Sequence, residues 1–189
     1  MRKLAVGELN RASLESFKQQ SKTPLALVLD NVRSALNVGS AFRTADGFAL
    51  EKIYLCGITA CPPNRDILKT ALGATESVDW AYMKDPVDAI RQLQAAGWKV
   101  LVVEQTSESH MLQDFVPDQN EKIALVFGNE VYGVSDSVVV MADGALEVPQ
   151  FGTKHSLNVA VCIGIVVWDL FNKLRFRENN GKHSGKPEN

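Results

Sequence analysis

The 189-residue chain (20.7 kDa) is 46% hydrophobic and 22% charged, with a mean hydropathy of -0.06 and a formal net charge of -2. At this size one core supplies enough burial to fold without disulfide or metal staples, and the composition excludes a wholly disordered, collagen-like or coiled-coil chain. The longest apolar run, Val159 to Trp168, is far short of the ~20 residues of a membrane span. Met1-Arg-Lys leads into no apolar signal segment, so the chain reads as cytoplasmic. Its three cysteines, Cys56, Cys61 and Cys162, lack CxxC spacing and read as reduced thiols rather than zinc ligands.

Charge is unevenly spread. Residues 1–24 and 173–189 each carry five Lys/Arg against two Glu, so each end is +3 and residues 25–172 hold -8. Basic ends on an acidic body are compatible with a polyanionic partner, but on charge alone they read as solvated, partly frayed termini. The residues after about Arg177 have nothing to bury and are expected to be disordered.

In chain order, Leu25-Ala-Leu-Val-Leu predicts a first strand. Val38, Ala41, Phe42, Ala45 and Ala49 then recur at helical spacing and predict an amphipathic helix. Lys52-Ile-Tyr-Leu-Cys is a second strand, and Asp85-Pro caps a helix from Pro86 to Ala96 that Gly97 stops. Lys99-Val-Leu-Val-Val and Lys122-Ile-Ala-Leu-Val-Phe are further strands, and a short one ends at Val148. The last helix, Leu157 to about Arg175, is apolar nearly all round until Asp169, so the core or a second subunit must cover it. Short, continuous, β-branched runs suit strands buried on both faces. The alternation predicts an α/β fold, a mostly parallel sheet with helices on both faces.

Open parallel sheets bind ligands in the loops beyond the carboxyl ends of their strands. Three polar, glycine-bearing segments lie there, residues 31–43, 128–135 and 149–158. None is GxGxxG, GxxxxGK[ST], HExxH or GxSxG, which removes the main support for dinucleotide, P-loop, metalloprotease and serine-hydrolase chemistry. Asn37 stands where the first helix should begin and reads as its N-cap. Arg43 is either a surface arginine with a snorkelling stem or a cation placed to bind phosphate or an oxyanion. Gly128 and Gly133 permit close backbone approach, and Glu130 between them either holds a cation or hydroxyl or satisfies loop amides. Ser156 reads as the N-cap of the long helix, while Asn158 either meets a ligand or faces solvent. His155 is an isolated loop histidine, and Trp80, Trp98 and Trp168 read as core residues.

Taken together, Asn37-x-Gly39-x-x-x-Arg43, Phe127-Gly-Asn-Glu130-x-x-Gly133-Val-Ser and Val148-Pro149…Ser156-Leu-Asn158-Val resemble, in order, the three motifs of the SpoU/TrmH family. These are RNA 2′-O-ribose methyltransferases of the SPOUT superfamily, and the resemblance runs from Leu25 to Leu174. It implies a deep C-terminal trefoil knot, S-adenosylmethionine bound bent within it, no metal, and an obligate homodimer whose active site mixes two subunits. By motif matching, Gly128, Val148 and Leu157 would line the cofactor pocket, with Thr106 or Gln105 nearby. Arg43 would be the catalytic arginine; a guanidinium is essentially always protonated, so its expected role is to grip phosphate and stabilise a developing 2′-oxyanion. Asn37 and Asn158 would position Arg43 or the ribose, Glu130 would orient the arginine or the loop, and Ser156 would hydrogen-bond nearby.

Val103-Glu-Gln-Thr106 looks like family members that methylate the D-loop guanosine of tRNA, so tRNA is the expected substrate. The alternatives are an rRNA substrate and a catalytically silent, knotted RNA-binding protein. By the same resemblance, residues 1–24 form a basic helical extension, with a helix over Val6–Gln20 presenting Leu9, Ala12 and Phe17. Residues 25–175 would form the methyltransferase domain and 176–189 a basic tail.

Overall fold

The structure, a computed structural model, describes residues 1–118 and 120–176. The chain runs α1 (Leu14–Gln19), β1 (Thr23–Asp30), α2 (Ala35–Gly47), β2 (Leu50–Cys56), α3 (Arg65–Ala71), α4 (Ala74–Ser77), β3 (Trp80–Met83), α5 (Pro86–Ala95), β4 (Lys99–Val103), β5 (His110–Met111), β6 (Ile123–Phe127), α6 (Asp136–Met141), β7 (Gly144–Glu147) and α7 (Val159–Phe176). Among the described residues the strands form one seven-stranded sheet, ordered β3-β2-β1-β6-β4-β7-β5, and every adjacent pair is parallel.

The two-residue period of a strand explains why these runs are apolar throughout. Leu25, Leu27 and Leu29 of β1 bury one face against Val38, Phe42, Ile67, Ile163, Val166 and Leu170 from α2, α3 and α7. Ala26 and Val28 bury the other face with Val100, Val102, Ala124 and Val126, under Ala89, Ile90 and Leu93 of α5 and Val138 of α6. Truncating any fully buried leucine here costs about 2–5 kcal/mol, as core deletions generally do. Helices therefore cover both faces, as the alternation of runs predicts.

Several boundaries differ from the sequence reading. Asn37 does not cap α2: Ser34 does, its hydroxyl accepting from Asn37 N at 3.3 Å, which leaves Asn37 one turn inside with its amide free to point outward. Ser156 does not cap α7 either. Asn158 takes that place, accepting from Ala160 N at 2.9 Å and Val161 N at 3.3 Å, so the helix starts at Val159. The expected helix over Val6–Gln20 is broken: Asn10 sits at φ 43, and only Leu14–Gln19 forms an α-helix, capped by Ser13. Within it Phe17 is buried beneath Lys22 Nζ, 3.3 Å from the ring centroid, whereas Leu9 is exposed. Trp168 is not core; it is 54% exposed on the outer side of α7. From residue 177 on, the expected basic tail lies outside the described residues.

The glycine of the first motif has a packing reason. A Cβ on Gly39 would fall on Thr70 Oγ1 and on the backbone oxygen of Ile67, so α2 meets α3 at bare backbone. Forcing a methyl into such a contact costs about 1–3 kcal/mol, and a chain of this size loses roughly 2–4 °C of Tm per kcal/mol. Gly39→Ala is thus expected to melt several degrees lower. Gly47→Ala, where nothing lies within 4 Å, is expected not to; equal melting temperatures by calorimetry would contradict this packing.

Candidate functional site

The carboxyl ends of β1 and β6, neighbours in the sheet, open into residues 31–34 and 128–135. Three side chains lock these loops together. Asp30, 1% exposed, accepts from Ser135 N at 2.8 Å and Ser135 Oγ at 2.7 Å. Asn129 Nδ2 donates to Asn31 O at 2.8 Å, while its Oδ1 accepts from Val131 N and Tyr132 N at 2.9 and 3.2 Å. Glu130 accepts from Arg33 N at 2.9 Å through Oε2, and from Ser34 N at 3.1 Å through Oε1. The 128–133 turn closes on itself by reciprocal 2.9 Å bonds between Asn129 and Gly133. A Cβ on Gly128 would lie on the backbone of Gly133 and Val134, so glycine is required where the turn doubles back.

Glu130 also begins a directed relay. Asn37 Nδ2 donates to Glu130 Oε1 at 3.0 Å, which fixes the orientation of that amide and turns its oxygen toward α7. Asn158 Nδ2 donates to Asn37 Oδ1 at 3.3 Å, and Asn158 Oδ1 in turn caps α7. Residues from all three segments, 93 and 121 positions apart in sequence, are thereby joined through one carboxylate. Partial burial opposes ionisation of Glu130. The hydrogen bonds from Arg33 N, the Asn37 amide, its own backbone and Ser34 N outweigh it and hold the carboxyl below its ordinary value of 4.5.

Beside the relay lies a cleft of about 330 Å³ between the ends of β4, β6 and β7 and the 148–158 loop. Gly128, Val148, Leu157, Glu130, Ser156 and Asn158 line it, as does Gln105. Thr106 does not: its hydroxyl accepts from Glu108 N at 3.4 Å within the turn that follows β4. Asn37 meets the cleft only through its two relay partners, and Arg43 is exposed on the outer face of α2, outside the lining. Among the described residues Arg43 has no ion pair.

Two lining carboxylates are not among the site residues expected from the sequence. Glu104 accepts from Gln105 N at 3.0 Å and Val134 N at 3.1 Å, and Glu147 accepts from Ser109 Oγ at 2.8 Å. The signal for them is the parallel register of β4 and β7, which no single run of sequence displays. Cys162 also lines the cleft, but burial and then the charge of Glu104 push its thiol up to about 11. At neutral pH it is protonated and unsuited to act as a nucleophile. Among the described residues no His/Cys/Asp/Glu group is placed to hold a metal.

Residues 24–168 match the SpoU rRNA Methylase family. The 23S rRNA (guanosine-2′-O-)-methyltransferase RlmB of Neisseria meningitidis is 29% identical over 84% of this chain and 62% of its own length. A tRNA (guanosine(18)-2′-O)-methyltransferase of Thermus thermophilus is 26% identical over 86% of this chain and 81% of its own. The chain thus spans less than two thirds of the first relative. The TrmH/SpoU tRNA modifying enzyme of Aquifex aeolicus superposes with a TM-score of 0.74 at 25% identity, over 89% of this chain and 82% of that one. The AdoMet-bound rRNA methyltransferase of Sinorhizobium meliloti gives 0.73 at 26% identity, over 86% and 61%.

The lowered pKa of Glu130 has a defined sign. Its stabilisation is present above the unfolded carboxylate value and is lost as pH falls through the lower folded value. Wild type is therefore expected to melt above Glu130→Gln at pH 7 by a margin that holds to about pH 4.5 and closes below it. A margin that does not change with pH would show that the ionised carboxylate is not what ties the loops.

Proposed function

The chain belongs to the SpoU rRNA Methylase family, and on that premise we propose that it transfers a methyl group from S-adenosylmethionine to a ribose 2′-hydroxyl of RNA. Supporting this is the relay itself: Glu130, Asn37 and Asn158, one from each motif, are hydrogen-bonded into a single array at the rim of a cleft at the carboxyl edge of the sheet. The donor fits that cleft. Its volume is within the range of small-molecule sites, its walls combine Phe127, Leu146, Leu157 and Val159 with carboxylates, and among the described residues no Lys or Arg lines it. Gly128, Val148, Leu157 and Gln105 are the residues that would hold it, largely by backbone and apolar contact.

S-adenosylmethionine, when bound, supplies an electrophilic methyl on a sulfonium, a chemistry that needs alignment rather than a metal. The chain supplies the alignment. Asn37 and Asn158, their amides oriented by the relay and the α7 cap, position Arg43 or the ribose, and Ser156 adds a hydroxyl beside them. Arg43 grips a phosphate and offsets the charge developing on the 2′-oxygen, which a permanently protonated guanidinium does better than proton abstraction.

Because Arg43 lies outside the lining of its own cleft, we assign it to the cleft of a second copy. The outer side of α7 suits such a homodimer: Val161, Ile165 and Trp168, at helical spacing, are 53%, 39% and 54% exposed. The C-terminal trefoil knot belongs to the same reading, with β7 inserted between β4 and β5 and the 148–158 loop leading into α7 against α2. Of the possible RNAs, the Val103–Thr106 segment favours tRNA. The rRNA alternative has the support of relatives that act on 23S rRNA.

Two measurements test this. Arg43→Ala is expected to lower methyl transfer to RNA by about 10²-fold or more, the scale of removing one oxyanion-stabilising donor, with donor affinity unchanged; near-normal turnover would remove Arg43 from the reaction. Co-expressing Arg43→Ala with Leu157→Trp, which blocks the cleft, is expected to restore turnover that neither variant shows alone. No restoration would mean that each subunit uses its own arginine.

A further inference from the structure

The cleft wall carries a like-charge pair. β4 and β7 are parallel neighbours, with Val103 level with Leu146, and Glu104 N donates to Leu146 O at 3.1 Å. One step further along this register, Glu104 stands beside Glu147, and both line the cleft. Each is half-buried, and among the described residues neither has an ion-pair partner. Adjacent carboxylates in a sheet repel, and partial burial weakens the solvent screening that would relieve them. N–H and O–H donors nevertheless hold both in place: Val134 N and Gln105 N on Glu104, and Ser109 Oγ on Glu147. Packing alone would be better served by an apolar or oppositely charged neighbour. A pair fixed this way is relieved by a cation in the cleft.

Resting on the methyl-donor reading above, we propose that Glu104 and Glu147 select the charged donor over the spent one by recognising the sulfonium. In the transfer, the new bond joins the methyl to the ribose oxygen, the electron pair of the broken carbon–sulfur bond stays on sulfur, and the hydroxyl proton passes to water. The donor leaves as a neutral thioether. The carboxylate pair therefore attracts what enters and not what must depart, which keeps S-adenosylhomocysteine from holding the cleft. Glu130 lines the same cleft but accepts three hydrogen bonds, against two on Glu104 and one on Glu147, so the charge discrimination falls chiefly to the pair at the β4–β7 edge.

Calorimetric titration of the full chain separates the outcomes. The ligands are S-adenosylmethionine, sinefungin (an ammonium in place of the sulfonium) and S-adenosylhomocysteine. Glu104→Gln and Glu147→Gln are each expected to weaken S-adenosylmethionine and sinefungin about tenfold and S-adenosylhomocysteine less than twofold. Raising salt on the wild type, a test that needs no variant, is expected to weaken the first two ligands and spare the third. Equal losses for all three ligands, or no loss for any, would overturn charge selection while leaving the methyl-donor reading intact. Wild type that binds none of the three would instead overturn that reading, and this proposal with it.

Discussion

The carboxylate of Glu130 is the group on which the arrangement at the carboxyl edge depends. A loop beyond a parallel strand has no ladder to hold it, and two such loops meet here at the ends of β1 and β6. Glu130 satisfies the backbone N–H groups of Arg33 and Ser34, which precede and cap α2, and in the same stroke orients Asn37. Asn37 then orients Asn158, whose oxygen caps α7. Charge-assisted bonds of this type are about twice as strong as neutral ones, and an amide held at one end can present only one polar atom at the other. The shape of the cleft follows from that chain of dependence.

Beneath the relay, the sheet supplies rigidity. β1 and β6 are buried on both faces, and the Asp30–Ser135 contact closes the junction between them away from solvent. Functional groups carried on short loops anchored this way are held more tightly than loop position alone would suggest. Among the described residues the cleft is lined by three carboxylates and by no Lys or Arg.

Much of the fold is legible in the sequence because burial on both faces removes ambiguity. The Leu25–Leu29 and Lys122–Phe127 runs can only be central strands, and they are β1 and β6. The edge strands β3 and β5 escape notice because they are short and exposed in part: β3 is an apolar run of only four residues and β5 has only two. Helix starts are misplaced by a few residues at Asn37 and Ser156, since two cap-forming residues lie within a turn of each other in both places, Ser34 and Asn37, Ser156 and Asn158, and only packing decides between them. In the site, motif order brings out Glu130, Asn37 and Asn158. Glu104 and Glu147 become visible only when the β4–β7 register sets them side by side. Of the two neighbours expected at the cofactor, Gln105 lines the cleft and Thr106 stands one residue beyond it, in the turn after β4. Arg43 lies exposed on α2 outside the cleft lining, a placement that motif spacing does not display.

The central claim is that the three joined segments form a site for methylating ribose. Its most direct test is nucleoside mass spectrometry of RNA incubated with the purified chain and S-adenosylmethionine carrying a deuterated methyl group. One 2′-O-methylated nucleoside bearing the full label is the predicted result. Label on a base, or no label in any nucleoside while the protein remains folded, would contradict it.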